Sequence, residues 1–197
     1  MTQPIIIIDY QAGNTASLGY ALERLDVHYV ITDQPTAIKQ AAKIIFPGVG
    51  RAKPAMRDLE AAGLSKLLPQ LTVPFLGICL GLQLLAEFSE EDSTPGLSVI
   101  PGQVKRFQGD IKVPQMGWNQ VHRLQPSPLW NNVPDNSYFY FANSFYLDSP
   151  ARFVLGSTDY GLAFPSVIQK DNFYATQFHP EKSGELGMQL LRNFCDL

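Results

Sequence analysis

The stretch VPFLGICLGLQLL, Val73 to Leu85, joins an apolar run to a helix-like pattern through a G-x-C-x-G turn. Gly77 and Gly81 flank Cys79 symmetrically, with Ile78 and Leu80 between them. A sharp strand-to-helix turn needs small residues at such positions, because neighbouring backbone must come close. The turn lifts its central side chain out of the core. Cysteine is also an acceptable small core hydrophobe, and the paired glycines are what weigh against that bland reading of Cys79.

Upstream, IIIID (residues 5–9) is a β-branched run suited to a strand buried on both faces. Leu18, Ala21, Leu22 and Leu25 then follow helical spacing. VHYVIT and KIIF read as the second and third strands, the latter ending at PGVG (residues 47–50). Residues 54–68 read as helix with a break near Gly63, VPFLGI as the next strand, and Leu80 to Phe88 as the helix after the turn. This alternation predicts a parallel sheet with helices on both faces.

Beyond about residue 95 the texture changes. QVKRF, WNQVHRL, SYFYFANSFYL, RFVLGST, SVIQK and FYATQF are strand-like, and helical spacing returns only in ELGMQLLRNFCDL. The expectation is one α/β domain over residues 1–197, a mixed, mostly parallel sheet with antiparallel strands added to it. Ligands gather outside the carboxyl ends of strands in open parallel sheets. PGVG, the Cys79 turn and the end of FYATQF all fall at such ends.

With 197 residues, 45% hydrophobic and 17% charged, the chain suits one well-buried domain. A net charge of −3 favours neither nucleic acid nor an anionic membrane. No apolar run reaches the roughly 18 residues of a membrane span, and MTQPIIIIDYQAGN lacks the build of a secretory signal. Two cysteines fit a reducing compartment, so a cytoplasmic location is expected. No metal-ligand cluster stands out, and no cofactor is expected.

A nucleophilic cysteine needs a base, usually histidine. There are three. His28 and His122 fall within strand-like segments and read as half-exposed surface residues. His179 closes FYATQF and is followed by Pro180 and Glu181. In an extended segment residues i and i+2 point the same way, and Pro180 is expected to keep the segment extended. A carboxylate beside histidine holds the useful tautomer and stabilises the imidazolium. The candidate catalytic set is therefore Cys79, His179 and Glu181. The Leu80 N–H offers one oxyanion donor, and PGVG could offer a second.

GICLGLQLL together with FHPE resembles the class I (triad) glutamine amidotransferases, across essentially the whole chain. PGVG with AMRDL, VPQMGWN and QFHPEKS are similar to the glutaminase subunits of imidazole glycerol phosphate synthases, which serve histidine biosynthesis. The resemblance implies a flavodoxin-like fold and hydrolysis of L-glutamine to glutamate and ammonia through a thioester on Cys79. It implies glutamine resting against Gly50, Gln83 and the backbone of Ser144 and Phe145, with Val49 N–H as the second oxyanion donor. It implies that the partner is a (β/α)₈-barrel cyclase receiving ammonia, with Gln115, Met116, Trp118 and Asn119 on the docking face. The bland reading of Met116 and Trp118 is core packing in an added strand. Asn143 departs from the family, which usually has histidine there, and Arg51 and Lys53 depart just after the loop. Two other readings stay open: a stand-alone γ-glutamyl cysteine hydrolase, and a catalytically weak regulatory or binding module.

Overall fold

The computed structural model describes residues 3–10 and 14–197. Part of the YQAGN turn, residues 11–13, and the first two residues of the N-terminal stretch lie outside the described residues. A nine-stranded sheet runs in the order Tyr29–Thr32, Ile5–Ile8, Lys43–Gly48, Phe75–Cys79, Phe173–Thr176, Ala163–Lys170, Val154–Asp159, Gln115–Arg123, Ser137–Asn143. The first five strands pair in parallel. The remaining pairings are antiparallel.

Alternation along the strands explains the double-sided burial. Ile6, Ile8, Ile44 and Phe46 pack with Ala52, Ala55, Met56 and Leu59 of helix Ala52–Ala61. Ile5, Ile7, Ile45 and Ile78 pack with helices Thr15–Arg24 and Gly184–Cys195 through Leu18, Leu22, Leu190 and Phe194. Each isoleucine of the first strand thus serves the layer opposite to its neighbour's, as the period of two requires.

Four features differ from the sequence reading. A second sheet, ordered Phe145–Asp148, Gln103–Arg106, Phe88–Ser89, Thr94–Pro95, stands apart from the first. SYFYFANSFYL is accordingly two strands, one in each sheet, broken at Ser144. The helix after Cys79 spans only Leu80–Leu84. It stops because amides of the following segment capture its last carbonyls: Leu97 N–H donates to Leu84 O at 2.8 Å, and Val99 N–H to Leu85 O at 2.9 Å. His28 lies just before strand Tyr29–Thr32 rather than within it, while His122 does lie in a strand.

The turn at Cys79 is held by its glycines. A Cβ on Gly81 would stand 1.9 Å from the Phe46 backbone oxygen, and one on Gly77 2.9 Å from Leu85 Cδ1. Helix propensity alone would make Gly81→Ala stabilising by roughly 1 kcal/mol. The backbone overlap reverses that sign. We predict that Gly81→Ala destabilises the fold by about 2 kcal/mol or more, read by urea unfolding. An unchanged or raised midpoint would show that the short helix can withdraw from the sheet.

Candidate active site

Three neighbouring parallel strands bring the site together. Gly48 lies in register with Cys79 across one pairing, and Thr176 with Ile78 across the other. The segments leaving these strands, which begin at Val49, Leu80 and Gln177, therefore emerge side by side at one sheet edge.

Cys79 has φ 54° and ψ −107°, a left-handed conformation that a side-chain-bearing residue rarely adopts. Strain of this kind costs of the order of 1–3 kcal/mol and persists where packing over-determines it. Its effect is to turn the sulfur into a cavity of about 260 Å³. Val49, Gly50, Leu80, Gln83, Ser144, Phe145 and His179 all line that cavity with Cys79. Glu181 stands behind the ring instead. The His179 Nδ1–H donates to Glu181 Oε1 at 2.9 Å, with both side chains 4% exposed.

The route by which Glu181 reaches His179 differs from the expected extended pair. The strand ends at Thr176, and Pro180–Lys182 form a 3₁₀ turn. Proline suits the first position of such a turn, since its φ is already set and its missing N–H is not needed there. His179 stays extended just before it, at φ −98° and ψ 97°. Its N–H donates to Tyr140 O at 2.9 Å, and Ser183 Oγ donates back to His179 O at 2.6 Å. The backbone that carries the ring is thus held from both sides, and Glu181 orients the ring itself.

Burial by itself pulls the His179 ring downward. The charge on Cys79 and a hydrogen bond to it, reinforced by the hydrogen bond and charge of Glu181, outweigh that and push the ring up to about 10. The proton therefore rests on the imidazole, against the Cys79 sulfur, an arrangement suited to activating a cysteine nucleophile.

Other lining residues carry weaker sequence signals. Glu91 and Lys182 bring one charge of each sign into the cavity wall, with Pro114, Ala142 and Asn143 beside them. Glu91 sits in an acidic run, FSEEDS, that reads as a solvated turn; only the fold shows its second contact. Its Oε2 accepts from Ala52 N–H at 2.7 Å, and next to it Asp92 pairs with Arg51. On the other side of the loop Tyr10 Oη donates to Pro47 O at 2.8 Å. Burial and the charge on Cys79 push the Tyr10 phenol upward, so it remains a donor. Val49 and Gly50, the latter at φ +96°, lie between these two clamps. A larger groove of about 730 Å³ alongside, lined by Arg51, Met56, Asp92 and Leu97 among others, has neither cysteine nor histidine in its lining. Among the described residues no group of three His, Cys, Asp or Glu side chains could hold a metal ion.

The expected docking residues divide by strand alternation. Met116 is 67% and Trp118 55% exposed, on one face of Gln115–Arg123, so neither is core. Tyr138, 53% exposed, adjoins them through the neighbouring strand, and Trp118 meets Tyr140 edge to face. Gln115 is buried at 3%, and Asn119 is half-buried with its Nδ2 donating to Asp159 O. Both occupy the opposite face, as the period of two requires, so Gln115 is buried where a docking surface was expected, while Asn119 stays partly exposed.

Residues 6–197 match the family described as glutamine amidotransferase class-I. The chain belongs to the class-I glutamine amidotransferase family. Among the relatives of this amidotransferase, the "imidazole glycerol phosphate synthase subunit HisH 1" of Methanococcus maripaludis is 44% identical, covering 98% of this chain and 99% of its own. HisH of Nitrosococcus oceani is 44% identical over 96% and 95%, and that of Bacteroides fragilis 44% over 98% and 99%. Solved structures agree on the fold. PurLQS from Thermotoga maritima superposes with TM-score 0.73 at 15% identity, covering 99% of both chains. A glutamine amidotransferase from Thermotoga maritima gives 0.65 at 16%, covering 100% of this chain and 84% of that one.

Proposed function

We propose that this amidotransferase is the glutaminase subunit of an imidazole glycerol phosphate synthase, acting in the cytoplasm in histidine biosynthesis. The observation that carries the reading is the strained Cys79 beside the Glu181-backed His179 in one cavity, in a chain 44% identical to subunits of that name. The Cys79 thiolate attacks the side-chain amide carbon of glutamine. The imidazolium of His179 protonates the leaving nitrogen, which departs as ammonia. His179, then neutral, accepts a proton from water as the water attacks the γ-glutamyl thioester, and glutamate leaves. Leu80 N–H and Val49 N–H receive the oxyanion. Gly50, Gln83 and the backbone of Ser144 and Phe145 hold the substrate. Glu91, the carboxylate of the cavity wall, suits the α-ammonium group.

Ammonia set free in neutral water mostly becomes ammonium, which is no nucleophile, so the acceptor site must be docked against this one. The exposed Met116, Trp118 and Tyr138 suit such docking, since Trp, Tyr and Met are enriched in interface cores. A (β/α)₈-barrel cyclase is the partner proposed. The test is glutamate release from glutamine by this chain alone and with a cyclase carrying its acceptor nucleotide. We expect release to rise steeply in the complex, and ammonium salts to replace glutamine for the cyclase reaction. Equal release in both states would favour a stand-alone γ-glutamyl hydrolase.

A further inference from the structure

We propose that Gln177 is a second hydrogen-bond donor to the Cys79 thiolate, alongside His179. The inference rests on the reading of Cys79 as nucleophile. Gln177 is fully buried, and its backbone N–H is anchored to Ser166 O at 2.9 Å. Its Nε2 lies 3.7 Å from Cys79 Sγ, within reach of a hydrogen bond to sulfur.

The orientation of this amide follows from its neighbours. Gln83 Nε2 donates to the Phe145 carbonyl at 3.0 Å, an acceptor that can be met only by a donor. The same NH₂ faces Gln177 at 3.1 Å, so Gln177 must answer with Oε1. That leaves the Gln177 NH₂ turned to the sulfur. Asn143 Nδ2 donates to the same Phe145 carbonyl at 3.0 Å, so the chain of amides runs from the second sheet to the nucleophile.

A thiol sulfur is a weak acceptor, whereas a thiolate takes a charge-assisted hydrogen bond. Gln177 therefore favours the ionised nucleophile. The Ala142 carbonyl, 3.9 Å from the sulfur, can accept only from the protonated thiol and acts in the opposite sense. The two partners set the balance between the forms. During turnover the Gln177 bond weakens while sulfur carries the γ-glutamyl group. It strengthens again as the C–S bond breaks and the electron pair returns to sulfur, so Gln177 assists the departure of the thiolate when water hydrolyses the thioester.

Alkylation of the full chain by iodoacetamide as a function of pH reads this directly, in a Cys195→Ala background so that Cys79 alone reacts. Gln177→Leu, and Gln177→Asn whose shorter side chain falls short of the sulfur, should raise the midpoint by about one pH unit. At pH values below both midpoints that lowers the rate about tenfold. A purely packing role would lower the thermal midpoint and leave the pH profile in place. The proposal is overturned if either folded variant keeps the unsubstituted profile. It is also overturned, whatever the variants do, if the unsubstituted chain reacts with a midpoint at or above that of an ordinary thiol, about 8.5. Because alkylation needs no glutamine turnover, failure here is separable from failure of the functional reading, which would show as glutaminase activity surviving Cys79→Ala.

Discussion

Cys79→Ala is expected to lower glutamine-dependent activity by at least about 10⁴-fold, the scale of losing a member of a nucleophile–base unit. The structure gives the substitution little else to disturb. Cys79 carries its reactive role on one sulfur atom turned into the cavity, and alanine keeps the Cβ that the turn already accommodates. Removing sulfur also removes the charge that helps hold the proton on His179, so burial would then pull the ring down. An ammonium-driven cyclase reaction should continue in the complex, because the proposed function places the acceptor chemistry on the partner. Cys195→Ala is the control. That thiol is partly buried in the C-terminal helix, and burial pushes it up to about 11, which leaves it inert at neutral pH. Retained turnover in the Cys79 variant, or a loss confined to the Cys195 variant, would displace the assignment.

The second large effect is expected at Gly50. The loop is tied before it by Tyr10 to Pro47 and after it by Glu91 to Ala52, leaving Val49 and Gly50 as the place where backbone can turn. Gly50 has φ +96° and open space where a Cβ would go, so the constraint there is conformational rather than steric. Proline fixes φ near −65° and removes the N–H; it cannot adopt this loop state. If the second oxyanion donor is the Val49 N–H, presented when the Gly48–Val49 peptide turns over, Gly50→Pro should cost about 100- to 1,000-fold of the partner-stimulated rate. Docking should survive, since Met116 and Trp118 lie on a different strand. Glutamate release from the isolated chain, the bare complex and the acceptor-bound complex measures this. Partner and acceptor can shift the loop only as far as they favour its competent state. Undiminished stimulation of the Gly50 variant would place the control elsewhere.

Local chemistry made the parallel half of the fold legible. β-branched runs such as IIII can be buried on both sides, and the glycines around Cys79 are demanded by a backbone contact that any side chain would violate. The proposed nucleophile and base could be named for the same reason: Cys79 ends one strand and His179 follows closely on another, at positions that the alternation of strands and helices already implies. The geometry behind that naming was less legible. Pro180 is as compatible with the first residue of a 3₁₀ turn as with an extended segment, and the choice was made by Ser183 just beyond the turn and by Tyr140 on a distant strand, which together grip His179.

The pattern of elements and the residues proposed to react were thus readable from residue order, because both follow from periodicity and residue chemistry within short windows. Which neighbours those side chains meet was settled by packing. Ser144 became the seam between two sheets because its carbonyl accepts from Phe107 N–H, and Gln115 turned inward while Met116 turned out because strand register assigns faces. Glu91 became a clamp on the loop, and Gln177 a donor to the nucleophile, through contacts spanning 39 and 98 residues of chain. Such partnerships depend on how layers pack, and a window of sequence holds only one member of each pair.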